Sequence, residues 1–443
     1  MLRMTRTTTL SRRRFLAGAS ATLLATPALA QADPVLDVCI IGGGAAGIAA
    51  ARKVAASGRS YVLLEATPRF GGRARTGNAF GIPFDMGAAS FARGDGTLAA
   101  AVETAGLALT NLPAGQRLYV DGREGRESDY DAFTSALGRA RRDMIASADS
   151  GKDGPAAGVL TTPGPWAATV SAQLGTLGCG RGLSTVSTLD LSLRAPLPDD
   201  VTSPLGIGTM LDGLATGLNV QFDAPVSAIT NAGRFSTITV KGRTVRARAI
   251  ILAVPAPVIA AGAIRFNPVL PPKLMAAFRA CPAGLLEQVA FLLPGNPLNL
   301  AADETVLPKV GATPAAVLRA RINGSDLHVL RFGDAQAREI ADKGEAAALK
   351  LTQAFMTEAF GSAASGIDKV ECSNWSSDPL IRGAMIVATP GQGAQRRQFT
   401  DPIGRIFLAG EYTTATHWGT LTGAWNAGEI AAARAIRLTS GPA

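Results

Sequence analysis

The stretch from Val35 to Arg73 constrains this chain more than any other. Val35, Leu36, Val38, Cys39, Ile40 and Ile41 form an apolar run broken only by Asp37, as in a strand buried inside a parallel sheet. Gly42, Gly44 and Gly47 then fill the three glycine places of G-x-G-x-x-G. The first permits a tight turn, the second lets the backbone approach a pyrophosphate, and the third lets helix and strand pack closely. A helix opening there offers unpaired N–H groups and a positive dipole end to phosphate. A second apolar strand, Tyr61 to Leu64, ends in Glu65, which lies 23 residues past Gly42. A carboxylate at that distance can grip ribose hydroxyls. Strand, glycine turn, helix and acid together predict a dinucleotide site.

The residues after Glu65 narrow the nucleotide. Glu65-Ala66, then Arg69 and Gly71-Gly72-Arg73, resemble the E-A-x-x-R-x-G-G-R run of the flavin-containing amine oxidase family, whose cofactor is FAD. Paired glycines bring bare N–H groups to phosphate oxygens, and Arg73 can neutralise them. Ile406 to Glu429 resembles the family's carboxy-terminal FAD segment: a strand, Gly410-Glu411, a loop, then Gly423-Ala424 opening a helix. Gly81 to Ala88 is similar to the G-x-x-x-D-x-G-A segment beneath the flavin ring, and Leu218 to Pro255 to the middle FAD segment. Trp375 to Pro379 with Gly383 resembles the W-x-x-D-P…G motif at the flavin's inner edge. The resemblance spans the chain beyond its leader, except about Thr110 to Asp200. It implies FAD contact from Gly42, Gly44, Ala46, Gly47, Glu65, Ala66, Arg69, Gly71, Gly72 and Arg73. Further along it implies Gly87, Ala88, Val226 (against adenine), Gly410, Glu411, Thr420 and Leu421.

The architecture expected is α/β. A discontinuous Rossmann-like FAD-binding domain takes residues 31–110, 203–280 and 395–443, and a substrate domain of mixed β-sheet plus helices takes 111–202 and 281–394. Strands are expected at Leu285–Leu293, His328–Phe332, Val370–Ser373 and Ala384–Ala388. The low-complexity piece Ala146 to Ala172 reads as a loop or cap over the substrate side.

Ser11-Arg12-Arg13-Arg14-Phe15-Leu16 is a twin-arginine export motif, and Ala28-Leu29-Ala30 a small-residue cleavage site. Residues 1–30 are therefore expected to be a signal peptide and the mature protein periplasmic or secreted. That route carries folded proteins, which suits loading FAD before export. The leader's five arginines and lack of acids supply five of the nine net positive charges, leaving four. So modest a charge gives no case for nucleic acid. Ala249 to Ile264 is apolar but carries Pro255, Pro257 and Gly262, so it reads as strand–turn–helix, and no membrane span is expected in the mature chain. Two histidines and four scattered cysteines argue against a zinc cluster or a Ser–His–Asp triad, and no metal is expected.

Family members turn an amine's C–H bond into hydride on the flavin, giving an imine that water hydrolyses. They usually face the flavin with two aromatic side chains. Here those positions fall on Met385 and, counting back from Gly423-Ala424, on Thr420. Ala384 stands where some members link flavin covalently, so FAD is expected to be non-covalent. Gln288 stands where the family typically has a lysine holding a water against flavin N5. Trp375 and Trp418 are either aromatic walls or core. Gln288, Trp375, Met385, Trp418 and Thr420 are thus the candidate catalytic residues. The resemblance implies an FAD-dependent amine oxidoreductase with a small-molecule substrate, reoxidised by oxygen or an exported redox protein. Two alternatives stand: a flavin dehydrogenase or desaturase of a non-amine, and a non-catalytic FAD-binding partner of another exported protein. A nicotinamide-dependent dehydrogenase is disfavoured, because Gly71-Gly72-Arg73 belongs with flavin.

Overall fold

The protein is described by a computed structural model covering residues 34–441 apart from 95, 162–163, 196–199 and 312–313. The twin-arginine motif and its cleavage site lie outside the described residues.

Apolar strands build two sheets. In the first, Leu36–Ile41 lies between Tyr61–Leu64 and Arg243–Leu252, parallel to both, with Ile40 opposite Leu63 and Ile251. Residues 38–41, 62–64 and 249–252, the apolar stretches of these central strands, are buried on both faces. Arg243–Leu252 changes partner along its length. Its polar first half pairs antiparallel with Phe235–Val240, and its apolar end pairs parallel with Ile406–Leu408. The helix Ala45–Ala56 rises from the glycine turn and packs on the last helix, Leu421–Thr439. A Cβ on Gly47 would overlap the carbonyl of Gly42, so that turn tolerates no larger residue there.

The second sheet has seven strands, in the order Glu371–Cys372, Leu286–Leu292, Leu327–Gly333, Ala316–Arg319, Thr305–Pro308, Arg117–Val120 and Arg123–Glu124. One parallel pairing, Thr305–Pro308 with Arg117–Val120, draws the earlier chain segment into a sheet otherwise made by the later one. Val289, Phe291, Leu318, Leu330 and Phe332 bury one face under the helix Glu345–Phe360.

Two expectations are corrected. About half of the low-complexity stretch from Ala146 is helical: it contains the end of Glu127–Asp149, the turn Ala156–Val159 and most of Ala167–Leu174. Alanine favours helix, and Phe133, Trp166 and Val170 anchor these helices in a core of their own. Ala384–Ala388 is a loop rather than a strand. Among the described residues it makes only one antiparallel bridge, Ile386 to Ala283, with Ala384 N donating to Gly284 O and Val387 N to Pro282 O, while Ala388 N turns to the Asp190 carboxylate.

Candidate active site

The nucleotide end is assembled from backbone. The helix Ala45–Ala56 begins at Gly44 with no side-chain cap and no acid in its first turn, so its first amides face outward unpaired. A Cβ on Gly44 would meet nothing nearer than Gly71 O at 3.9 Å, so the turn fronts open space. Glu65, at the end of Tyr61–Leu64, is buried and accepts from Gly43 N at 2.5 Å and from the amide and hydroxyl of Thr67 at 2.9 and 2.7 Å. These donors fix the carboxylate beside the glycine turn.

The amine end is assembled from side chains of distant segments. Gln288 on Leu286–Leu292 donates from Nε2 to Gly87 O. Trp375 donates from its indole to Met86 O at 2.7 Å, and its ring edge lies close to Gly87. Buried Glu287 holds that segment, accepting from Ser373 Oγ, Trp375 N and Ser376 N at 2.5, 3.0 and 2.8 Å. Met385 sits against Gly419: a Cβ on that glycine, whose φ is +75°, would overlap the Met385 sulfur. Beside it lie Arg194 Nη2, 3.9 Å from Met385 Sδ, and a buried pair in which Arg396 binds Asp190 at 2.5 and 2.6 Å. Asp190 also accepts from Ala388 N, and Arg396 donates to Ile386 O, so this pair clamps the loop that carries Met385.

A model of flavin-containing amine oxidoreductases matches residues 167–436, and a model of NAD(P)-binding Rossmann-like domains matches residues 40–102. The chain belongs to the flavin-containing amine oxidoreductase family. It is 26% identical over 434 residues to polyamine oxidase 4 of Oryza sativa subsp. japonica, covering 89% of this chain and 87% of that one. Of solved structures, a redesigned double mutant of putrescine oxidase shares the fold with a TM-score of 0.78 at 19% identity, over 91% of this chain and all of that one. Cyclohexylamine oxidase from Brevibacterium oxydans does so at 0.77 and 21%, over 91% and 99%. The protein is an FAD-dependent amine oxidoreductase.

The residues present fit FAD. Uncapped amides at Gly44 to Gly47 suit its pyrophosphate, and Glu65 stands at the strand end where a ribose belongs. The last helix, also without an acid in its first turn, offers a second N-terminus. Ala46 and Leu421 bury their side chains in the core and leave only backbone for the cofactor. Ala66 is half-buried beside Glu65, Ala88 N donates to Arg73 O, and Gly410 lies against the Tyr412 ring. Val226 starts a strand opposite Val240 and is half-buried on the core of the first sheet.

The structure adds protein partners to several of the expected residues. Arg69 and Arg73 are both engaged with protein acceptors. Arg69 donates to the carbonyls of Phe70 and Gly72 and braces the Gly71-Gly72 turn. Arg73 donates to Ala384 O and pairs with Glu411 at 3.1 Å. Glu411 is itself only 5% exposed, and its other oxygen accepts from Gly419 N at 3.0 Å. A buried carboxylate needs such partners, and through them Glu411 ties the two FAD segments together. Trp418 is core, not wall: it is wholly buried, with the guanidiniums of Arg194 and Arg396 over its ring at 4.6 and 4.7 Å. Thr420 is the cap of the last helix, its hydroxyl donating to His417 O and accepting from Gly423 N. The residue facing Met385 is its neighbour Gly419, a glycine that counting back from Gly423 passes over. Sequence reasoning also missed Glu287, Asp190 and Arg396. A charge inside an otherwise apolar strand was the available signal for Glu287. The four thiols are unpaired and pushed up to about 11 or 12 by burial, so they are inert.

Proposed function

We propose that this protein oxidises a monoamine with an apolar body at the carbon beside nitrogen, and that it does so after export. The observation carrying this reading is the seat of Met385 against Gly419, which puts a thioether and a bare glycine where relatives of this kind usually present rings. Cation–π selection, worth about 0.5–2 kcal/mol, is then absent from these two positions. FAD, when bound, accepts hydride from the substrate C–H. The chain must first free the amine lone pair, which costs about 4 kcal/mol at pH 7 for an amine of pKa near 10. Met385 contributes by desolvation, since an apolar wall disfavours the ammonium form. Gln288, held on Gly87 O, orients a water without adding charge. Arg194 beside Met385 repels a second ammonium, which disfavours polyamines. The named activity of cyclohexylamine oxidase is therefore a better guide than that of the polyamine oxidases.

Anaerobic mixing with a panel of cyclic, aryl and poly-amines tests the reading. Rapid bleaching of the flavin band by cyclic or aryl monoamines is expected. Bleaching by polyamines alone, or by no amine, would overturn it. Export is tested by Arg12→Lys with Arg13→Lys, which should leave the protein in the cytoplasm; unchanged secretion would refute the twin-arginine route. Oxygen or an exported electron carrier then serves as acceptor, and flavin reoxidation by air at the steady-state rate would favour oxygen.

A further inference from the structure

The outer edge of the first sheet gathers positive charge that neither the cofactor nor the amine uses. Residues 224–286 contain eight basic residues and no acidic one. Residues beyond 30 carry a net charge of four, so outside this segment they carry minus four. Much of the segment folds into three antiparallel strands, Val226–Ala232, Phe235–Val240 and Arg243–Leu252. Arg265–Asn267 runs parallel to the first of them as the outermost strand of the sheet. Alternation decides what each face shows. Ile229 and Ile238 stand opposite one another and are wholly buried. Their neighbours point the other way, so Arg265, Thr239, Thr237 and Arg246 share an outward polar face.

One end of this face is the most basic. Its hairpin turn carries exposed Arg234, and Arg405 reaches to Gly233 O in the same turn at 3.3 Å. Arg246 lies over the Phe235 ring at 3.8 Å, held in place without a carboxylate. Of the eight basic residues, Arg248 alone makes an ion pair among the described residues, with Asp37 at 3.4 Å. Asn267 stands opposite Thr230, so the outermost strand leaves the sheet at the end where that turn lies. Val269 follows it. Phe266 and Leu270 pack on the core of the sheet, and between them Val269 is held out at 82% exposure, more than any other large apolar side chain among the described residues.

We propose that this edge seats on an anionic bilayer surface, with Arg234, Arg246 and Arg265 against headgroup phosphates and Val269 set at the boundary with the acyl chains. Charge complementarity and the apolar prong carry the proposal together. Like charges brought together repel, and phosphates offset that repulsion. A guanidinium suits the role because its planar donors can bind two phosphate oxygens at once. An acidic soluble partner would meet the charge but would leave Val269 without a role. The headgroup boundary takes cations and an apolar side chain side by side. The proposal is independent of the amine reading, since none of these residues belongs to the site described above.

Co-sedimentation of the FAD-loaded protein with vesicles tests it. Phosphatidylcholine vesicles with about a third phosphatidylglycerol should carry the protein down at low salt, and phosphatidylcholine alone should not. About 0.5 M sodium chloride should release most of it, because screening then confines the attraction to a few ångströms. Arg234→Glu with Arg265→Glu should weaken binding by more than about tenfold, and Val269→Asp by a smaller factor. These side chains are exposed, so melting temperature and amine turnover in solution should stay at wild-type values. Arg139→Glu, an exposed site on the helix Glu127–Asp149, should bind as the wild type does. A wild-type protein that ignores anionic vesicles overturns the proposal, as does a double variant that binds at full strength or an equal loss in Arg139→Glu. Full binding by Val269→Asp would overturn the bilayer seat in favour of an acidic partner.

Discussion

Where the nucleotide is to be held, the groups on offer are main-chain amide donors and one carboxylate acceptor from a single stretch, Gly42 to Arg73. Where the amine is to be met, the decisive groups are side chains from Gln288, Trp375, Met385 and the Asp190–Arg396 pair, each delivered by a different segment. The first end is a property of a turn; the second is a property of packing. Damage should therefore behave differently at the two ends, costing FAD at one and stability or selectivity at the other.

The largest effect is expected at the clamp. Arg396→Ala leaves Asp190 charged, buried and unpaired, and should cost about 3–5 kcal/mol of stability in urea unfolding. FAD binding to the fraction that stays folded should change little. An equal loss of flavin affinity would erase the distinction between the ends.

Acid should act on the substrate side next. His328 is wholly buried, stacked on Phe291 at 5.6 Å, and neither ring nitrogen has a hydrogen-bond partner among the described residues. Burial lowers its pKa from 6.5 to about 4, with Asp326 opposing and Arg321 adding to the shift. The unfolded chain therefore binds this proton first. Stability attributable to His328 is intact above pH 6.5 and is lost as pH falls toward 4, reaching about 3 kcal/mol in all. His328→Phe should flatten the acid limb of a melting-temperature profile. A limb of unchanged slope would show that the ring finds a partner when protonated.

At the nucleotide end, Glu65→Ala removes a charged hydrogen-bond partner and should weaken FAD by about 1.5–3 kcal/mol. Titration calorimetry with FAD measures it. The smallest effects separate Met385 from Thr420. Met385→Tyr should improve selection of cationic amines by about 0.5–1 kcal/mol in kcat/KM through a ring contact. Thr420→Ala should cost about 1 kcal/mol of stability as a lost helix cap and leave KM unchanged. A changed KM for Thr420→Ala would return that hydroxyl to the substrate pocket.

What was legible in the chain follows the same division. The FAD fingerprint could be read because its requirements are local: glycines where the backbone must turn and approach phosphate, and an acid one strand later. The pairing of Arg73 with Glu411 spans 338 positions and that of Gln288 with Gly87 spans 201, so spacing could not reveal either. The arginine of the Gly-Gly-Arg run was expected at phosphate because its neighbours point there, and the structure adds a buried carboxylate partner for it from the far end of the chain.

By itself the sequence determined the α/β class, the nucleotide turn, the family and the absence of an aromatic at Met385, since each depends on residue type or short spacing. Tertiary structure alone decided that Gly419 and not Thr420 faces Met385, that Trp418 is sealed beneath two arginines, and that Arg246 and Arg265 share the outward face of the first sheet. Side-chain direction and burial arise only when separate segments close on one another, and one residue of register in the Trp418–Thr420 loop reverses which group lies against Met385.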